Sequence, residues 1–132
     1  MSRVLVTDAS VVVDLLGRFA AEPIETALFS SASQLVAPEL LDIEVLHTLR
    51  KLETTEAIPA SRRAHILDDF RALPIRRFRH AALWQDVWRL RRNLTAYDAS
   101  YVALARQLDA TLVTRDERIA RAPDVGIAVE VV

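Results

Sequence analysis

The sequence has no cysteine, which excludes disulfides and thiolate metal sites together. Glycine occurs only twice, too rarely for a glycine-rich loop that cradles phosphates. Lys51 is the only lysine among 17 basic residues, so the positive charge is almost all arginine. Arginine suits bidentate contacts to phosphate or carboxylate, although a GC-rich genome would enrich it equally. With a net charge of -1, the overall balance points to no particular partner. No apolar run approaches the ~20 residues of a membrane span. The first run is soon broken by Asp8 and Asp14, unlike a secretory leader. A cytoplasmic protein without a membrane role is the expectation. Hydrophobic residues make up 52% of the chain, too many for disorder. A length of 132 residues suits one domain, 1–132, with its own core.

Hydrophobic patterning alternates strands with helices. Residues 3–7 read as a buried strand ending on Asp8. Residues 9–16 read as a helix stopping near Gly17. A second helix is expected over 22–31, with Pro23 in its first turn, and a short strand over 34–37. Pro38 opens a long helix over 39–53, with Leu41, Val45, Leu49 and Leu52 at helical spacing. Residues 60–72 read as one helix with Ile66, Leu67, Phe70 and Leu73 toward the core. A strand runs from Ile75 toward Phe78. Helices follow over 80–92 and 97–108, a clear strand over 110–114, a short helix over 115–121 and a last strand over 126–131. This order implies a parallel sheet covered by helices. Asp8 and Asp116 then stand at the same sheet edge, where ligands collect in such folds.

Four acids stand out. Asp8 and Asp116 follow two strands in equivalent places, and each could serve simply as a helix cap. Asp98 shares a helical face with Tyr101, Val102 and Ala105, where a carboxylate is costly unless paired or liganded; its ordinary alternative is a first-turn acid favoured by the helix dipole. Glu44 borders the apolar stripe of the 39–53 helix and could be a flank charge. Four carboxylates converging on one crevice would repel one another and raise one another's pKa. Such a cluster calls for a positive occupant, and an all-oxygen donor set suits Mg²⁺ or Mn²⁺. Ser10, Thr7 and Thr114 are at hand to orient a carboxylate.

These segments resemble the PIN-domain family. Val6-Thr7-Asp8-Ala9-Ser10 is similar to its first acidic motif, and Pro38-Glu39-Leu40-Leu41-Asp42-Ile43-Glu44 to the segment holding its helical glutamate. Tyr97-Asp98-Ala99-Ser100-Tyr101 resembles the third motif and Leu112-Val113-Thr114-Arg115-Asp116 the fourth. Order and spacing are similar to small bacterial toxins of VapC type over essentially the whole chain. His47 stands where the family often has Asn.

The resemblance implies a central parallel five-stranded sheet flanked by about seven helices, often dimeric. It implies a metal-dependent endoribonuclease toxin neutralised by a cognate antitoxin. Carried over by position, the catalytic acids are Asp8, Glu44, Asp98 and Asp116. Asp8, Asp98 and Asp116 would be the metal ligands, with Ser10 and Thr114 as supporting polar groups. It also suggests products with a 5′-phosphate and a 3′-hydroxyl. RNA approaching an acidic cleft needs a basic rim, for which Arg115, Arg118, Arg121, Arg50 and Lys51 are candidates. Other readings are a Mg²⁺-dependent DNA nuclease or phosphatase and a non-catalytic interaction module. Ser10, two residues after the first acid, speaks against the phosphatase. Trp84 and Trp88, one helical turn apart, read first as core, and alternatively as an antitoxin groove or dimer seam. His47, His65 and His80 read as structural or surface residues.

Overall fold

Residues 3–123 and 125–132 are described by the computed structural model. In chain order these are β1 (Arg3–Thr7), α1 (Ala9–Gly17), α2 (Ala21–Phe29), β2 (Ser33–Pro38), α3 (Leu40–Thr54), α4 (Ala60–Arg63), α5 (Ile66–Ala72) and β3 (Ile75–Phe78). A 3₁₀ turn (His80–Leu83) leads into α6 (Trp84–Arg89), followed by α7 (Ala96–Gln107), β4 (Thr111–Thr114), α8 (Glu117–Arg121) and β5 (Val129–Val131). The five strands pair in parallel in the order β3-β2-β1-β4-β5. Val6 pairs with Val36 on one side and Leu112 on the other.

The central strands are apolar without alternation because helices cover both faces: Leu5, Val6, Leu112 and Val113 are all buried. The chain runs from β1 outward through β2 to β3, and the later strands lie on the other side of β1. The direction of winding reverses between β1 and β4. That switch point is where an open α/β sheet leaves a crevice at its strand ends, and Asp8 lies on it, its amide donating to the Val113 carbonyl at 3.3 Å.

Several local expectations are corrected. The 60–72 segment is two helices, because α4 buries no residue whereas α5 buries Ile66 and Phe70, and helices this short persist through packing rather than propensity. Leu67 points outward rather than to the core. The left-handed residue ending α1 is Arg18 (φ 63°), not Gly17. Gly17 is helical, and a Cβ there would stand 2.4 Å from the Phe19 ring. The 80–92 segment begins as a 3₁₀ turn, which shifts the helical phase so that Leu83, Val87 and Leu90 face inward. Trp84 and Trp88 are consequently 71% and 68% exposed, so the core reading fails. The last strand is confined to Val129–Val131. Eight α-helices flank the sheet among the described residues, in line with the expected about seven once the 60–72 segment is split, and none is long and apolar enough to cross a membrane.

Candidate active site

Asp8 is buried (7% exposed) at the end of β1, yet three donors meet its carboxylate. Ser10 Oγ donates to Oδ1 at 2.6 Å, the Val11 amide to the same oxygen at 3.2 Å, and Thr114 Oγ1 to Oδ2. Asp8 thus caps α1, which fixes its rotamer, and Thr114 ties it across the sheet to β4. Leaving such a buried carboxylate short of donors costs about 1–3 kcal/mol or more. Thr114 Oγ1 also accepts from the Asp116 amide at 3.0 Å, and Ser10 Oγ accepts from the Arg115 amide at 3.2 Å. The two hydroxyls therefore lock the β4–α8 corner against the first strand–helix turn.

Asp116 caps α8, accepting from the Arg118 amide at 2.9 Å. The Arg118 side chain closes on the same carboxylate through Nε at 3.0 Å and Nη2 at 2.8 Å. Asp98 enters from the first turn of α7, where Thr95 Oγ1 accepts from its amide at 3.2 Å. Glu44 enters from α3, and its Oε1 accepts from the Tyr101 hydroxyl at 2.6 Å.

Electrostatics record the convergence. Burial pushes the Asp8 carboxyl above its usual range, and the Asp98 charge adds to this against the three donors. Burial likewise raises Glu44, with Asp98 and Asp8 adding repulsion and the Tyr101 hydrogen bond opposing it. Asp98 is raised by burial and then by Asp116. Asp116 alone is lowered, chiefly by its hydrogen bonds from Arg118. The other three predicted acids thus each interact electrostatically with Asp98.

The basic rim is only partly where sequence reasoning put it. Arg118 is exposed and beside the acids. Arg115 is turned away, its Nε 2.7 Å from Asp14 Oδ2, so its charge is committed to clamping the β4–α8 corner onto α1. Arg121 pairs with Glu117 at 3.1 Å. Arg50 and Lys51 are exposed near the far end of α3, and Arg50 lies six positions beyond Glu44, about 9 Å of helix. His80 is structural, its Nε2 accepting from the Leu40 amide at 2.9 Å. Two participants were missed. Asp14, a part-buried acid raised by desolvation, interrupts the Val11–Leu16 apolar run, which was its signal. Tyr101 was seen on the Asp98 face but not as the donor to Glu44; its partner lies 57 residues away, beyond any local pattern.

Hard oxygen donors that repel one another fit a divalent cation such as Mg²⁺ or Mn²⁺. As the side chains stand, no three acidic or histidine groups among the described residues are placed together to hold a metal ion.

A five-stranded parallel sheet with acids gathered at its switch point is the arrangement of a PIN domain, and the chain belongs to that family: the model described as PIN domain matches residues 5–125. Its relatives are VapC ribonucleases. Ribonuclease VapC1 of Mycobacterium tuberculosis (strain H37Rv) is 39% identical over 128 residues, spanning 96% of this chain and 96% of that protein. Ribonuclease VapC3 of the same strain is 33% identical over 118 residues, spanning 89% and 86%. A crystal structure of a Pyrobaculum aerophilum protein superposes with a TM-score of 0.63 at 18% identity, covering 98% of this chain and 92% of that one. So does VapBC2 from Rickettsia felis bound to a DNA fragment from its promoter, with a TM-score of 0.63, 14% identity and coverage of 96% and 97%. At those identities the two structures share the fold.

Proposed function

We propose that this chain is a cytoplasmic, divalent-metal-dependent endoribonuclease of VapC type, held in check by an antitoxin and acting as a homodimer. The observation that carries the proposal is the placement of Asp8 and Asp116 at the sheet's switch point, joined through Thr114, with Asp98 and Glu44 brought in by α7 and α3 and those two helices linked by Tyr101. The relatives named as ribonucleases at 39% and 33% identity support the RNA substrate.

Asp8, Asp98 and Asp116 would hold the ion, with Glu44 completing the acidic cluster. When bound, a divalent cation supplies Lewis acidity and offsets negative charge on a phosphodiester. Ser10 and Thr114 hold Asp8 in one rotamer, so this carboxylate needs little reorganisation. Asp116 would exchange Arg118 for the ion, and the released guanidinium is then free for an RNA phosphate. The net reaction is addition of water across a phosphodiester, leaving a 5′-phosphate and a 3′-hydroxyl.

The test is incubation of the purified protein with structured RNAs and single-stranded DNA in millimolar Mn²⁺. RNA cleavage leaving 5′-phosphate ends, abolished by EDTA, is the expected result; cleavage that persists in EDTA overturns the metal-dependent mechanism, and equal cutting of DNA overturns the RNA assignment.

The homodimer is supported by an exposed apolar surface. Trp84 and Trp88 stand out from α6 beside a groove lined by Leu40, Leu83, Val87 and Tyr97. Isologous contacts need one patch with both protrusion and recess, and this patch has both. Introducing Asp at Trp84 and Trp88 together should weaken self-association by roughly thirtyfold, the loss of about 2 kcal/mol at an interface hot spot. Sedimentation velocity reads this directly, and an unchanged oligomer places the seam elsewhere.

A further inference from the structure

We infer that Tyr101 is a positioning residue for Glu44: its hydroxyl, presented by α7 one turn beyond Asp98, sets where the Glu44 carboxylate stands in the acidic cluster. The inference rests on the metal-site reading above and adds a residue to it. The Tyr101 ring is only 2% exposed, packed in the core among the buried face of α7. Its hydroxyl donates to Glu44 Oε1 at 2.6 Å, joining α7 to α3. Among the described residues this is the one hydrogen bond the Glu44 carboxylate makes.

The consequence follows from stiffness. A glutamate carries three rotatable bonds, and Glu44 is only half-buried, so by itself its carboxylate would sample several rotamers. A tyrosine has two side-chain torsions, and here the core fixes both. The hydroxyl is therefore a fixed point to which a mobile acid is tied. Burial and the neighbouring acids hold Tyr101 protonated, so it is a permanent donor and leaves Glu44 Oε2 for other work. Because Asp98 and Tyr101 are three residues apart on one helix, α7 carries one acid of the cluster and the anchor of another. Groups that orient metal-binding or catalytic side chains from behind commonly matter tenfold or more. A tyrosine serving only as core would have its hydroxyl satisfied by any acceptor; this one uses a charged group belonging to the site.

The experiment is a double-mutant cycle with Tyr101→Phe, Glu44→Ala and both, each read by Mn²⁺ affinity (electron paramagnetic resonance), kcat and KM on a cleaved RNA, and Tm in EDTA. Tyr101→Phe keeps the ring and so the packing. It is expected to weaken Mn²⁺ binding and lower kcat by roughly tenfold, with KM changed by less than about twofold. In the Glu44→Ala background the same substitution should change neither. Wild-type affinity and kcat in Tyr101→Phe, or an equal loss with and without Glu44, overturns the inference while leaving the metal site intact. Wild-type protein that binds no Mn²⁺ overturns the metal-site reading, and this inference with it.

Discussion

Asp98→Asn is expected to abolish RNA cleavage, by at least about a thousandfold, while raising the Tm of the metal-free protein. The two effects have one cause. Asp98 is pushed up by burial and by Asp116, and its charge in turn raises Asp8 and Glu44. Asparagine keeps the shape and removes the charge, so the fold is relieved of a repulsion while the site loses an anionic ligand. A residue serving only as structure behaves oppositely: its replacement lowers Tm and spares the chemistry. Asp116→Asn makes the internal contrast. Arg118 holds that carboxyl below its usual range, so removing the charge discards an attraction, and the metal-free Tm should not rise although cleavage is again lost. Calorimetry in EDTA beside a cleavage assay separates these outcomes. An Asp98→Asn protein that is less stable yet fully active sinks the metal-site assignment.

Millimolar Mg²⁺ or Mn²⁺ is expected to raise the wild-type Tm at neutral pH by several degrees and to flatten a pH dependence that is present without metal. An ion at ~100 times its dissociation constant contributes about 2.7 kcal/mol, which in a domain of this size amounts to several degrees. For the pH dependence, the folded-state pKa values of Asp8, Glu44, Asp98 and Asp14 lie above their unfolded values. In the window between the two values the folded protein binds more protons than the unfolded chain, so stability falls as pH rises. Above the folded values the full penalty of the charges is present; below the unfolded values, near about 4, it is gone. Lowering the pH from neutral toward 4 should therefore add stability from these groups. Asp116 has the opposite sign: its contribution is present above its unfolded value and disappears as pH falls through its lowered folded value. Comparing wild type with Asp8→Asn/Asp98→Asn in EDTA cancels the other titrating groups. A slope that is identical in both, or a metal-induced shift that survives in the double variant, places the effect outside this cluster.

Much of the candidate site was legible because its acids sit at boundaries. Asp8 ends an apolar run, Asp116 follows a second one, and Asp98 opens a helix on an otherwise buried face; each break in pattern is local. The exposure of Trp84 and Trp88 was not legible. Their spacing suits a buried stripe as well as an exposed one, and only the 3₁₀ turn at His80–Leu83 sets the phase that turns Leu83, Val87 and Leu90 inward instead. The free rim also differs from the sequence reading. Arg115 and Arg118 are three residues apart, but Asp14 captures the first, and nothing local to Arg115 announces a partner on α1.

The order of strands, the parallel sheet, the candidacy of the four acids and the exclusion of thiolate chemistry were determined by the sequence itself, because periodicity, chain breaks and donor type are properties of near neighbours. Tertiary structure alone decided what those acids face. It brought Thr114 to Asp8 across 106 residues and Tyr101 to Glu44 across 57, drew Arg115 onto Asp14, and left two indoles exposed on α6. Hydrogen bonds and ion pairs of this kind join residues distant along the chain, and their partners exist only once the helices have docked on the sheet.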